Sequence, residues 1–125
     1  MEKIEYVRLY AGPDGESHFE DAEIELSLGA FAPPAPPVWL SAFLPAEPVA
    51  SGGVSPGWYG DWPPAPRRQF LVYIAGEVEA EASDGEVRRF GPGSIALVED
   101  TTGRGHRSRV VSATDVINVV VQLPD

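Results

Sequence analysis

The chain has 125 residues, with 19 acidic side chains against 9 basic ones and a formal charge of −10. Such a field repels phosphate backbones and anionic lipid, so neither nucleic acid nor a membrane surface is an expected partner. The length fits a single domain over residues 1–125. There is no cysteine, which excludes disulfides and thiolate metal sites and suits a reducing cytoplasm.

The opening residues, Met1 to Arg8, lack the basic-then-apolar order of a signal peptide. No apolar run approaches the roughly 18 residues that indicate a membrane span. A cytoplasmic protein is expected. Residues 1–22 read as an N-terminal strand and loop. Within them, Gly12 to Ser17 lacks the lysine of a phosphate loop, and His18 reads as a solvated loop histidine. Glu23 to Leu28 alternates, with Ile24, Leu26 and Leu28 on one face.

Residues 31–66 differ in composition. Phe31 to Pro37 carries four prolines and is expected to be extended, because each proline fixes φ and restricts the residue before it. Apolar Val38 to Leu44 follows directly, so the segment is predicted to cover a barrel edge or mouth. Trp39, Trp58, Tyr59 and Trp62 are candidates for an aromatic mouth that meets a ligand.

From residue 67 onward the strand signals are dense. Gln69 to Ala75 is nearly all apolar, as a strand covered on both faces would be. Gln69 and Tyr73 stand at even spacing and so share one face, and alternation puts Arg67 there too. In Glu77 to Ala82, Glu77, Glu79 and Glu81 point outward and Val78, Ala80 and Ala82 inward. Asp84-Gly85 and Phe90-Gly91-Pro92-Gly93 supply turns. Ser94 to Val98, Arg107 to Val111 and Val116 to Leu123 are further β-branched runs. Thirteen glycines and thirteen prolines punctuate the chain and leave little room for helix. Many short strands at this spacing predict an all-β sandwich or barrel.

Gln69, followed by six residues and Gly76, resembles the end of the first cupin motif. Gly93 to Glu99 with Gly103-Arg104-Gly105-His106 resembles the second, with two extra residues and Glu99 where proline is usual. Within that superfamily, Asp61 to Gln69 and Glu99 to His106 look like a group of small bacterial cupins. The resemblance covers residues 58–123 well and the first 57 loosely. It implies a single cupin-type antiparallel β-barrel or jelly roll, with its barrel motifs in 67–123.

It also implies what is missing. A metal cupin joins two histidines and a carboxylate from the first motif to one histidine from the second. Here Trp62-Pro63-Pro64-Ala65 occupies the two-histidine region, Gln69 replaces the carboxylate, and His106 alone remains. Zinc and iron sites use three or more strong ligands, so no metal cofactor is expected; a stray divalent ion would fall on His106 and Gln69. The expected function is small-molecule binding in a metal-poor barrel. Its candidate ligand residues are Trp39, Trp58, Trp62, Arg67, Gln69, Tyr73 and His106, with Arg67 suited to a carboxylate.

Other readings remain open. One is a metal-independent isomerase, cyclase or lyase with His106 as base and Gln69 or Tyr73 as donor. In that reading Glu99 and Asp100 are close enough in sequence to orient His106. Another is a metal-dependent oxygenase or isomerase with atypical ligands, and a last is a purely structural homodimer. A homodimer is expected in any case, through the apolar 31–44 segment.

Overall fold

Frequent glycines and prolines disfavour helix, and the alternating, β-branched runs between them pair into sheets. In the computed structural model, which describes residues 1–62 and 64–125, twelve strands form in chain order. They are β1 (Lys3–Ala11), β2 (Ser17–Glu25), β3 (Ser27–Gly29), β4 (Val38–Leu40), β5 (Val49–Val54) and β6 (Tyr59–Gly60). After these come β7 (Gln69–Ala75), β8 (Val78–Ala82), β9 (Val87–Phe90), β10 (Ile95–Glu99), β11 (His106–Val110) and β12 (Val116–Gln122). The fold is all-β, as expected. Among the described residues no helix is long and apolar enough to cross a membrane.

A six-stranded sheet runs β2-β1-β10-β7-β12-β5, a four-stranded one runs β6-β11-β8-β9, and β3-β4 is a separate ribbon. The described pairings are antiparallel except β1 with β10, which is parallel. The inner faces of the two large sheets share one core, in which Leu9, Tyr73 and Val98 of one meet Val78, Phe90 and Val110 of the other. β8 shows why: Val78, Ala80 and Ala82 are buried, while Glu79 and Glu81 face outward and pair with Arg109 and Arg107.

The predicted turns form as expected. Gly85 adopts φ 97° and donates its N–H to Ala82 O at 3.0 Å. Gly93 adopts φ 88°, and the Ser94 N–H closes the turn on Gly91 O at 3.0 Å.

Three local expectations need correcting. The run Glu23 to Leu28 is divided between β2 and β3, because Ser27 to Gly29 leave β1 and pair with β4, while Leu26 N–H still donates to Glu2 O at 2.8 Å. Phe31 to Ala35 turns rather than extends, since the Ala35 N–H bonds back to Ala32 O at 2.9 Å. β7 is not covered on both faces: Ile74 is 54% exposed on the outer side. That outer face of the large sheet also leaves Ile117 and Val49 exposed, with Phe43 and Leu44 exposed beside it.

Loops at one end of the sandwich are tied by a single buried serine. Ser17, 1% exposed, begins β2 in the large sheet. Its hydroxyl donates to Gly105 O at 2.6 Å and accepts from Ser83 N at 2.7 Å, while its own N–H donates to Ser83 Oγ at 2.6 Å. Ser83 follows β8 of the other sheet, so these bonds span both sheets and the loop before β11. Arg104 N–H adds a bond to Gly15 O at 3.0 Å. Gly103 sits so close there that a Cβ would lie 2.5 Å from Gly15 O.

Removing the Ser17 hydroxyl strands a buried carbonyl and a buried N–H together. Ser17→Ala is expected to cost about 1–3 kcal/mol, measured by urea unfolding. A change below the error of that measurement would show the junction to be dispensable.

Candidate functional site

The loop fixed by Ser17 delivers His106 to the first position of β11, opposite the buried Ala82. Strand alternation then aims the imidazole inward along with Ser108 and Val110, while Arg107 and Arg109 face out. Inside, His106 meets Asp100, which follows β10 with the same inward parity as Ala96 and Val98. Asp100 Oδ2 lies 2.6 Å from His106 Nδ1. The carboxylate is 0% exposed and the imidazole side chain 19%.

Asp100 Oδ1 is buried without a hydrogen-bond partner among the described residues. His106 Nε2 has no protein partner there either. In the neutral imidazole the proton sits on Nδ1, facing the carboxylate, and Nε2 is then an acceptor. Asp100 is the residue that holds His106 in place. Its proximity in sequence was legible, but nothing there separated it from Glu99.

Glu99, one position earlier, points to the opposite face and does something different. It receives Arg8 Nε at 2.6 Å and also pairs with Arg68. Burial opposes its ionisation, but these hydrogen bonds outweigh it and hold the carboxyl below its ordinary range. Glu99 therefore braces the outer side of the sheet and does not orient His106.

Gln69 lies on the inner face at the same end, paired across β10 with Val98 and across β12 with Gln122. Its Oε1 accepts from Gln122 Nε2 at 3.4 Å, and no hydrogen bond joins it to His106. Gln122 was not singled out from the sequence. Its place on the inner face follows only from the β7–β12 register.

Tyr73 shares Gln69's face but stands four residues further along β7, about 13 Å at strand rise. It stacks on Phe90 with ring centroids 5.5 Å apart. Burial pushes its hydroxyl up to about 12, so it stays protonated at neutral pH. The structure puts Tyr73 in the core and not beside His106.

The other candidates fall elsewhere. Arg67 does not point into a cavity; it donates to Glu47 Oε2 at 2.7 Å and to Leu123 O at 3.2 Å. Trp62, at φ 42°, carries Arg107 over its ring at 4.8 Å. Tyr59 accepts from the same arginine at 3.2 Å. Both aromatics thus pack with an outward-facing arginine instead of roofing an apolar mouth. Trp58 lies against Gly60, where a Cβ would be 2.6 Å from its ring. Gly60 pairs with Ser108, so Trp58 is the tryptophan that flanks the interior. Trp39 belongs to the β3–β4 ribbon.

Clefts of about 690, 320 and 530 Å³ open on the surface of the described residues. None is lined by His106, Gln69 or Asp100.

The residues of the metal region do not fit a transition metal. Pro63 lies outside the described residues, Pro64 is exposed, and buried Ala65 offers no side-chain donor. His106 keeps Nε2 free among the described residues, but Gln69, the other candidate, offers only a neutral amide and is engaged by Gln122. Among the described residues no group of three His, Cys, Asp or Glu side chains is placed to hold a metal ion.

His18 is not a solvated loop histidine. It lies in β2, with Asp84 Oδ2 2.8 Å from Nδ1 and both Asp14 oxygens 3.1 Å from Nε2. Those carboxylates, Asp14 first, raise its pKa against a smaller desolvation effect. A raised folded value stabilises the fold below the unfolded value, and that contribution is lost as pH rises through the folded one. His18→Ala is therefore expected to destabilise more near about pH 5.5 than near about pH 8.5. Thermal unfolding of both proteins at the two pH values checks this, and an equal loss at both would contradict it.

Comparison with known proteins gives likenesses of fold. No family model matches the chain, and no curated protein matches it. Among similar solved structures is a cupin 2 conserved barrel domain protein from Salinispora arenicola, at 14% identity and TM-score 0.49, covering 81% of this chain and 76% of that one. The cupin domain of Schizosaccharomyces pombe Cnp3 is similar at 9% identity and TM-score 0.46, covering 99% of this chain and 86% of that one. Protein NMB1881 of Neisseria meningitidis is similar at 20% identity and TM-score 0.48, covering 61% of this chain and 72% of that one. Cupin barrels are thus among the solved structures that this all-β chain is similar to.

Proposed function

We propose that this protein is a small-molecule-binding protein of cupin type, with a metal-free site at the end of the sandwich where His106 and Asp100 meet. The observation that carries this reading is the 2.6 Å pairing of His106 Nδ1 with fully buried Asp100. A buried carboxylate is costly unless it is paired, and a partner that leaves Nε2 free is a costly way to stabilise a strand end. Such a pair is suited to present one oriented imidazole nitrogen to a ligand. Gln69 and Gln122 are neutral hydrogen-bonding groups on the facing sheet at the same end.

The same pair favours a second reading, a metal-independent isomerase, cyclase or lyase. A carboxylate that fixes the Nδ1 proton equips Nε2 as a general base. Asp100 then takes the supporting role, and Gln69 remains the nearest candidate for a neutral donor.

The test is a mixed-fragment screen followed by amide and imidazole resonances. Ligand shifts are expected to centre on His106, Gln69 and Gln122, and His106→Ala should weaken the binder tenfold or more. If the protein turns its ligand over, the same change should lower the rate by roughly 10²-fold or more. Shifts confined to the outer faces, with His106 silent, would reject both readings.

A further inference from the structure

We infer that the His106 site takes a hydrogen-bond-donating ligand that is uncharged or cationic, and that it rejects carboxylates. This rests on the binding reading above and narrows it.

The first ground is an inventory of positive charge. The chain has nine lysine and arginine side chains. Each of them is already ion-paired: Lys3 with Glu23, Arg8 and Arg68 with Glu99, Arg67 with Glu47, Arg88 with Asp21, and Arg89 with Glu77. Arg104 pairs with Glu16, Arg107 with Glu81 and Arg109 with Glu79. Arg107 and Arg109 flank Ser108 on β11 but project from the outer face, away from His106. Arg67, close to Gln69 and Gln122, is held by Glu47, Gln122 and the Leu123 carbonyl, with only its Nε left without a partner among the described residues. An anion entering the site would therefore meet only lysine and arginine side chains that are already paired with carboxylates, in a protein whose formal charge is −10. Recognition of carboxylates and phosphates relies on such a cation.

The second ground is what the site offers instead. Asp100 Oδ1 is a buried carboxylate oxygen with no donor. Pro63, the residue outside the description, has no N–H to supply one. Beside it, His106 turns Nδ1 toward Asp100 and leaves Nε2 without a partner among the described residues; in the neutral ring that nitrogen is an acceptor. A carboxyl oxygen without a donor, beside an imidazole nitrogen without a partner, matches a ligand that presents N–H or O–H groups. A carboxylate there would set its own acceptor oxygens against those of the Asp100 carboxyl.

Three probes of nearly one shape separate the cases: benzamidine (cation), benzamide (neutral) and benzoate (anion). Each is titrated into the intact protein at equal ionic strength while the His106 ring and Asp100 carboxyl resonances are followed. Benzamidine and benzamide are expected to shift both groups, with affinity at least tenfold above that of benzoate. If benzoate shifts His106 as strongly as the other two, the ligand class is overturned while the site itself stands. If none of the three shifts His106 or Asp100, the binding reading fails and this inference falls with it. The comparison uses the unaltered chain, so it does not depend on any variant folding.

Discussion

The arrangement of this protein depends on one buried hydroxyl, that of Ser17. It joins the first residue of β2 in the large sheet to Ser83 after β8 in the small sheet, and both to the carbonyl of Gly105. Two features make the junction possible. Gly103 and Gly105 take φ of 77° and 75°, which side-chain-bearing residues rarely adopt, so the loop can fold onto Gly15. Ser17 itself is small enough to be buried with every polar group in use. With the loop fixed, the strand that follows begins at His106, and the imidazole enters the interior where Asp100 waits.

Along the same side, Arg88 of β9 reaches Asp21 of β2 at 2.7 Å and lies over Phe19. Polar contacts thus close one long side of the sandwich. The opposite side ends in β5 and β6, where Gly60 makes room for the Trp58 ring. The charged residues show the same division of labour. Alternation places glutamates and arginines of β8, β9 and β11 on one outer surface as a ladder of pairs, which leaves the interior almost free of charge. The exception is the His106–Asp100 pair. An ionisable pair in a core that otherwise excludes charge is where function is to be sought.

Much of this was readable in the sequence, and the limits have physical causes. Period-two alternation placed Val78, Ala80 and Ala82 inside because an inward-facing run leaves a clear pattern. The Asp-Gly and Gly-Pro-Gly turns were legible because backbone geometry demands those residues. The split of Glu23 to Leu28 was hidden, since both pieces continue the same alternation and the break comes where the chain changes partner from β1 to β4. Asp100 was noticed beside Glu99, but which of the two faces inward depends on strand register, and no single residue announces that. Gln69 and Tyr73 do share a face, yet sharing a face on a seven-residue strand does not make a shared site. The aromatic loop misled for a chemical reason: Tyr59 and Trp62 are as well suited to an arginine as to a ligand.

The account stands most directly on where the His106 imidazole points and what it meets. A crystal structure of the intact protein, at a resolution that shows bound small molecules and ordered water, measures this. The account predicts His106 Nδ1 within hydrogen-bond distance of a buried Asp100, and a non-protein molecule or water on Nε2 within the sandwich. A His106 ring turned to bulk solvent, with Asp100 bonded elsewhere, would contradict it.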